Sequence, residues 1–338
     1  MSATLDSTPA ADGFRMPGEF EPHDGCWMAW PERADNWRLG AEPAQRAYAA
    51  VAAAIAPSEP VTMAVSEAQF ERARELLPAA VRVVEVALDD AWMRDTGPTF
   101  VIDGAGHRRG IDWRFNAWGG HHGGLYESWD RDELVAAKVL EVEGADRYPA
   151  PLVMEGGAIH VDGEGTVLTT EQCLLNRNRN PQLSRAQIEA ALCAYLGAEK
   201  VVWLGQGVHE DETDGHVDNL ACFAAPGVVV LTWTDAERDP QHAISRDARE
   251  RLEAATDARG RPFEVVLLPS PGPLLTTAEE AAGVEPVPGT KPRRGGDRLA
   301  ASYANFYLGT SRVVFPLLDQ RTDEEAAEIL RRCFPDRE

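Results

Sequence analysis

Residues 209–222, HEDETDGHVDNLAC, place two histidines among five acidic side chains. His216 stands between Asp214 and Asp218. Neighbouring carboxylates are expected to raise the pKa of this histidine and to favour the imidazolium. A protonated imidazole can give a proton to a leaving amine and later take one from water. The stretch therefore predicts general acid/base chemistry at His216, with a histidine hydrogen-bonded in a turn as the alternative.

Two more acids occupy comparable settings earlier in the chain. Asp95 lies in WMRDTGP and Glu155 lies in MEGGAIH, each close to Gly or Trp and close to a β-rich run. Asp95, Glu155 and His216 follow one another at intervals of 60 and 61 residues. This spacing predicts a repeated supersecondary unit that presents one polar residue per repeat to a common centre. Taken singly, each acid could equally be a turn or cap residue.

Carboxylates that meet in one pocket repel each other, so a cation is expected between them. A guanidinium fits best, because its planar fork can pair with two carboxylates at once. A metal ion is the other candidate, and the residues that could bind it are His209, Glu210, Asp211, His216 and Asp218. Their spacing matches neither zinc motifs nor the EF-hand loop. We therefore predict no metal at this site.

The elements that must position these residues are short strands and fewer helices. Capping-box signatures predict helices at 66–77, 184–197 and 322–332, and weaker patterns predict helices at 42–56, 131–142 and 242–256. A hairpin is predicted at 158–170. The many short β-rich runs do not alternate with helices as in a doubly wound sheet. Residues 269–298 are rich in Pro and Gly, which predicts a lid or a disordered segment.

The amino-acid composition disfavours several classes of partner and of binding site. The net charge of −22 disfavours nucleic acid and anionic membranes as partners, and it suits a cationic small molecule. We find no apolar run of about 20 residues and no signal-peptide pattern, so a cytoplasmic location is expected. The five cysteines form no CxxC pair, which predicts reduced thiols and no cysteine-based zinc site.

The chain carries several longer motifs, namely WMRDTGPTFV, the WGG…GGLY segment at 118–126, MEGGAIHVDGEGTVLTTEQCLLNRNRNP, TDGHVDN and RLAASYANFY. Together these motifs resemble those of the agmatine deiminases. The resemblance runs from about Gly13 to the last residue. It implies an α/β fold, specifically a five-bladed α/β propeller (pentein) of ββαβ units with an incomplete last blade. The expected organisation is a flexible N-terminus at 1–12 and a single catalytic domain at 13–338.

The same resemblance implies hydrolysis of agmatine to N-carbamoylputrescine and ammonia in putrescine biosynthesis, without metal or cofactor. A cysteine thiolate would attack the guanidinium carbon. Asp95 and Asp218 would bind the guanidinium, and His216 would be the general acid/base. Glu155 would line the substrate site, and Trp92 would pack against the apolar stem of the substrate. Agmatine is thus the expected partner, with a homodimer as an option.

One part of the family pattern is missing. The nucleophile of the family lies in a segment resembling GGGNIHC, which occurs nowhere in this sequence. We expect Cys333 to be a helix-packing residue and Cys26 to be a buried strand residue, while Cys173 is not at the nucleophile position. The expectation is therefore a chain truncated before its nucleophile, inactive as given. The alternatives are a catalytically dead guanidinium-binding protein and a bacterial peptidyl-arginine or arginine deiminase.

Free arginine would require a basic partner for its α-carboxylate. The site motifs offer Arg94 for this role, but only directly beside Asp95, which would neutralise it. Agmatine lacks that carboxylate, so an acidic pocket suits it better.

Overall fold

The computed structural model describes residues 2–338, which form an α/β fold. Its strands are β1 (Cys26–Ala29), β2 (Val61–Val65), β3 (Arg82–Glu85), β4 (Thr99–Ile102), β5 (Arg108–Arg114), β6 (Asp146–Val153), β7 (His160–Val161), β8 (Thr166–Thr170), β9 (Lys200–Leu204), β10 (Ala221–Ala225), β11 (Val228–Trp233), β12 (Glu264–Pro269), β13 (Tyr307–Leu308) and β14 (Val313–Val314). Its α-helices are α1 (Glu42–Ile55), α2 (Phe70–Leu76), α3 (Met93–Thr96), α4 (Val135–Glu143), α5 (Glu171–Leu174), α6 (Arg185–Leu196), α7 (Val217–Leu220), α8 (Pro240–Ala254), α9 (Ala278–Ala282) and α10 (Asp323–Cys333).

The strands pair in chain order into five separate sheets within residues 2–338. In three of them, β4–β6, β7–β9 and β10–β12, an antiparallel hairpin is followed by a helix and a third strand parallel to the second. These three sheets are the expected ββαβ units. The first sheet, β1–β3, is wholly parallel, and the fifth is the antiparallel pair β13–β14.

Buried apolar clusters join each sheet to its neighbours. The cluster around Val101 and Val167 joins the sheets β4–β6 and β7–β9, and the one around Leu168 and Val229 joins β7–β9 to β10–β12. Further clusters link β10–β12 with β13–β14 and α10, and link β1–β3 with both β14 and α4. The side chains of each sheet are thus shared with two others. No helix described in residues 2–338 has the length and apolar character to cross a membrane.

The predicted helices are present, but only one of three capping boxes forms as expected. Ser184 caps α6, with Gln187 completing the box, and Gly197 ends the helix in a left-handed conformation. Ser66 makes no cap, because its hydroxyl donates to Glu32 at 2.7 Å and a 3₁₀ turn precedes α2. Thr322 makes no cap either, and its hydroxyl contacts the Tyr303 hydroxyl at 3.0 Å. The weaker patterns correspond to α1, α4 and α8.

Two segments expected to be irregular are folded against the rest of the chain. Leu5 N donates to Arg147 O at 2.9 Å, so the N-terminal segment borders β6, and its flexibility stays a prediction. Within 269–298, α9 forms, and Arg298 pairs with Asp239 at 2.7 Å. The long Pro- and Gly-rich segment therefore contacts the rest of the chain, and a role as a lid stays a prediction.

Candidate active site

The predicted site residues lie on three connectors that enter equivalent strands. Asp95 lies in α3 just before β4, Glu155 precedes β7, and His216 and Asp218 precede β10. The connectors converge, because His216 Nδ1 lies 3.9 Å from Asp95 Oδ1 and His216 Nε2 lies 3.6 Å from Glu155 Oε2. The expectation that each repeat carries one polar residue to a common centre agrees with these distances.

The two glycines after Glu155 allow the connectors to approach. A Cβ on Gly156 would lie 2.0 Å from the carbonyl oxygen of Arg94. A Cβ on Gly157 would lie 2.4 Å from His216 Nδ1 and 2.7 Å from Asp218 Oδ2. No other residue type fits these positions without moving backbone or site groups, which explains the EGG motif by close packing.

Asp95 is held from two sides. Trp118 Nε1 donates to its Oδ2 at 2.9 Å, and the backbone N–H of Gly157 donates to its Oδ1 at 2.9 Å. Trp118 reaches this position from a turn in which it and Ala117 both adopt left-handed backbone angles, with φ of 60° and 53°. Non-glycine residues rarely adopt such angles, and strain of this kind concentrates at functional sites. Burial raises the pKa of Asp95, and repulsion from Glu155 raises it further.

Glu155 has a cationic partner, Arg179, and both side chains are fully buried. Arg179 Nε donates to Glu155 Oε1 at 2.7 Å, while its Nη1 donates both to Asp214 Oδ2 and to the carbonyl oxygen of Trp118. Burial opposes ionisation of Glu155, but the adjacent guanidinium and His216 lower the pKa of Glu155 overall. This carboxylate is therefore charged, and its second oxygen remains directed at His216.

His216 and Asp218 carry the unpaired atoms of the site. His216 Nε2 and Asp218 Oδ1 are buried and have no hydrogen-bond partner among the described residues. Burial opposes protonation of His216, yet the Asp95 carboxylate and Glu155 raise its pKa well above the usual range. Burial and the nearby Asp95 charge raise the pKa of Asp218 to about 7. Buried polar atoms are normally paired, so the two unpaired atoms indicate a ligand position.

Aromatic rings form one wall beside Asp95. Trp92 stacks on Trp37 at a centroid distance of 5.2 Å and meets Trp118 edge-on at 5.9 Å. Asp90 fixes two of these rings, because it accepts hydrogen bonds from Trp37 Nε1 at 2.6 Å and from Trp92 Nε1 at 2.8 Å. Trp92 therefore packs against Trp118, the residue whose indole holds the carboxylate that the sequence predicts to bind a guanidinium.

Arg94 has an acidic partner other than Asp95, and its side chain is about half exposed. It pairs with Glu19, which also lies 3.4 Å from His160 Nε2. The expected neutralising partner, Asp95, is instead held by Trp118 and Gly157. The charge of Arg94 is therefore offset by Glu19 rather than by the expected Asp95.

The proposed metal ligands of the 209–218 stretch do not gather. His209 lies 3.8 Å from its neighbour Glu210, and Asp211 accepts the backbone N–H of His216 at 3.1 Å. Within residues 2–338, one group of potential ligands has atoms within 4.8 Å of one another, namely Glu155, Cys173 and His216. The sequence did not indicate this combination.

All five cysteines are free, and burial raises the pKa of each. Cys26 is buried in β1 as expected, and its pKa is raised to about 11. Cys333 ends α10 and packs against the apolar cluster of the fifth sheet, also as expected. Cys173 is fully buried at the site itself. A nucleophilic cysteine requires a lowered pKa, so these surroundings favour the thiol form throughout.

Comparison with known proteins identifies the family. Residues 15–338 match the family described as Porphyromonas-type peptidyl-arginine deiminase. Agmatine deiminase of Pseudomonas putida (strain KT2440) is 57% identical over 99% of this chain and 92% of its own length. Agmatine deiminase of Pseudomonas fluorescens (strain SBW25) is 55% identical with the same coverage. The structure of Enterococcus faecalis agmatine deiminase aligns with a TM-score of 0.97 at 48% identity, over 100% of this chain and 93% of that one.

The chain belongs to the agmatine deiminase family. Its α/β fold is accordingly that of the Enterococcus enzyme. Within the family motifs, sequence reasoning did not single out Trp118, Arg179 or Cys173 as site residues. All three lie in motifs that were recognised, WGG and TTEQCLLNRNRNP. Motif membership was thus a usable signal, but only the folded chain shows which oxygen or nitrogen each residue contacts.

Proposed function

We propose that this protein belongs to the deiminases that act on agmatine, converting it to N-carbamoylputrescine and ammonia. The observation that carries the proposal is the convergence of Asp95, Glu155 and Asp218 around His216, with Asp218 Oδ1 and His216 Nε2 left unpaired. A guanidinium supplies the N–H donors that Asp218 lacks and the positive charge that offsets the repulsion between the acids. The close relatives that carry the name agmatine deiminase support the same substrate.

Each site residue has a role in this proposal. Asp95 and Asp218 grip opposite sides of the guanidinium, and Glu155 orients His216. The apolar stem of the substrate lies along Trp92. His216, kept protonated by the surrounding acids, gives its proton to the departing ammonia and then takes one from water.

Agmatine suits this site better than arginine. The charge of Arg94 is offset by its ion pair with Glu19, so the α-carboxylate of arginine would gain little from this cation and would face Asp95 and Glu155. Repulsion of this kind discriminates between ligands. A peptidyl-arginine is the second candidate substrate, because the matched family carries the name of peptidyl-arginine deiminases.

The described residues provide binding and proton transfer. In the family, a cysteine thiolate attacks the guanidinium carbon to give an amidino-cysteine intermediate, which water then hydrolyses. None of the five cysteines has the lowered pKa that this attack requires. We therefore assign no nucleophile within residues 1–338. The affinity for agmatine is the quantity that tests the proposed site directly.

We also propose that the five sheets are blades of one α/β propeller forming a single domain at 13–338. The shared apolar clusters, including the one that joins the first and fifth sheets, support this arrangement. A cytoplasmic location is proposed as well, supported by five free cysteines.

Calorimetric titration with three ligands tests the substrate. Agmatine should bind, arginine should bind at least about tenfold more weakly because its carboxylate is unpaired, and putrescine should bind weakest because it lacks the guanidinium. N-acetyl-arginine amide tests the peptidyl alternative. Absence of agmatine binding, or equal affinity for arginine, would contradict the proposal.

Variants of the two histidines test the proton-transfer role. In a chain extended by the nucleophile segment of the family, His216→Ala should abolish ammonia release from agmatine while the fold, followed by circular dichroism, stays intact. His209→Ala is the matched control, since this histidine belongs to the same loop but lies beside Glu210. It should behave as the parent protein, and undiminished ammonia release by His216→Ala would remove the assignment.

A further inference from the structure

Three chemically different ligand atoms meet at the floor of the site. Glu155 Oε2 lies 3.6 Å from His216 Nε2 and 4.0 Å from Cys173 Sγ, and all three groups are within 4.8 Å of one another. Cys173 is brought there by the start of α5, where the Thr170 hydroxyl accepts its backbone N–H at 3.1 Å. All three residues are buried. The guanidinium chemistry proposed above assigns no task to this thiol.

The nitrogen and oxygen ligand atoms have weak partners or none. His216 Nε2 has no hydrogen-bond partner in the described part of the chain, although its side chain is only 3% exposed. Glu155 uses Oε1 for Arg179, while its Oε2 faces His216 and accepts a long hydrogen bond from the Cys173 thiol at 4.0 Å. The positive charge of Arg179 opposes a bound cation, but Asp214, 2.9 Å from Arg179, offsets that charge.

The spacing suits a tetrahedral metal. Zinc binds sulfur at about 2.3 Å and nitrogen or oxygen at about 2.0–2.2 Å, so neighbouring ligands in a tetrahedron lie roughly 3.3–3.7 Å apart. The separations of 3.6 and 4.0 Å require movements of a few tenths of an ångström, and the Cys173–His216 pair, which lies within 4.8 Å, must close by up to about 1 Å. A thiolate, an imidazole and a carboxylate are all zinc ligands, and three of them leave a fourth position for water.

We propose that Glu155, Cys173 and His216 form an inhibitory site for a thiophilic divalent cation, with Zn²⁺ as the representative ion. On binding, the Cys173 thiol and the His216 imidazolium each release one proton to solvent, and their lone pairs bind the metal without any redox change. His216 Nε2 is then occupied and cannot deliver a proton. The ion and a guanidinium cannot bind at the same time, because both are positively charged and both would lie beside His216. This mutual exclusion rests on the proposed function.

Cobalt substitution tests sulfur coordination without relying on activity. Metal-free protein titrated with Co²⁺ should bind one ion per chain and develop a thiolate-to-cobalt charge-transfer band in the near ultraviolet. Zn²⁺ should displace the Co²⁺ and remove the band. Because this experiment uses the unchanged protein, a variant that fails to fold cannot obscure it. Absence of the band at saturation would overturn the proposal.

Two cysteine variants locate the ion. Cys173→Ser should lose the band and bind Zn²⁺ at least about tenfold more weakly, since even second-shell changes cost 10–100-fold in metal affinity. Cys333→Ser, at the end of α10, should match the parent protein. Circular dichroism checks that both variants are folded. Unchanged Zn²⁺ affinity in Cys173→Ser would contradict the assignment.

Agmatine separates this proposal from the functional one. Saturating agmatine should raise the apparent dissociation constant for Zn²⁺, which supports both assignments. A sulfur-bound ion that agmatine does not displace would support the metal site and would count against agmatine as the ligand of Asp95 and Asp218.

Discussion

The two sides of the acidic site are built differently. Asp95 and Glu155 have fixed partners, supplied by Trp118, Gly157 and Arg179. Asp218 instead has one buried oxygen without a partner within 2–338, and its pKa is raised to about 7. The fold holds Asp95 and Glu155 in place before any ligand binds, because their hydrogen bonds offset the free-energy cost of burying two carboxylates. The unpaired oxygen of Asp218 can accept hydrogen bonds from a cationic ligand. The protonation of this side of the site should therefore change with ligand binding and with pH.

Arg179 should contribute strongly to the stability of the fold, because it is the cationic partner of Glu155. Arg179→Met leaves the fully buried Glu155 charge without its partner, so the free energy of unfolding should fall by about 3–5 kcal/mol. Urea denaturation measures this. Arg185→Met is the control, because its ion pair with Glu171 is exposed and should contribute less than about 1 kcal/mol. Equal losses in both variants would show that the burial of the pair has no energetic consequence.

Asp218 should show the opposite pattern. Asp218→Asn should weaken agmatine binding by about 2–5 kcal/mol, since one member of a buried charge pair is removed. Its free energy of unfolding should stay the same or rise, because the parent carboxylate is buried without a partner. Titration calorimetry and urea denaturation measure the two quantities. Asp247→Asn, an exposed change on α8, is the control, and a large loss of stability in Asp218→Asn would overturn the comparison.

Trp118 tests whether the orientation of Asp95 matters for binding. Trp118→Phe removes a hydrogen bond to a carboxylate, so agmatine affinity should fall by about 1.5–3 kcal/mol. Trp113→Phe removes a buried hydrogen bond of the same indole type, donated to Thr99 at 2.9 Å away from the site. Calorimetry should find the affinity of this control unchanged. Equal affinity losses would assign the effect to general destabilisation.

The change in agmatine affinity per pH unit should be the smallest effect, and the raised pKa of Asp218 should contribute to it. A raised pKa in the folded state means that Asp218 destabilises the fold progressively as pH rises from about 4 to about 7. Agmatine requires the charged carboxylate, so its affinity should increase up to about pH 7, by at most about tenfold per pH unit, and then level off. The difference between the parent protein and Asp218→Asn isolates this contribution in calorimetric titrations. If agmatine affinity changed with pH in the same way in the parent protein and in Asp218→Asn, groups other than Asp218 would cause the pH dependence.

The repeat spacing predicted much of this site from the sequence. Intervals of 60 and 61 residues correspond to connectors that enter β4, β7 and β10, which is why Asp95, Glu155 and His216 meet. Local patterns also predicted α6 and its capping box, because capping depends on residues close in sequence.

Other features depend on contacts that no local pattern contains. Arg179 binds Glu155 from 24 residues away, and the Trp118 indole reaches Asp95 across 23 residues through a strained turn. Ser66 carries a valid capping pattern, but a tertiary contact with Glu32 occupies its hydroxyl. In each case, the competing partner is supplied by the tertiary fold.

Gly156 and Gly157 join the connectors without any side chain between them, since an added Cβ would reach Arg94, His216 or Asp218 within 2.0–2.7 Å. Where backbone contacts backbone directly, no flexible side chains lie between the segments to accommodate a displacement. A displacement of one sheet against its neighbour must therefore shift two site groups together. Heating or mild denaturant should accordingly abolish ligand recognition in one step, rather than eroding it one contact at a time.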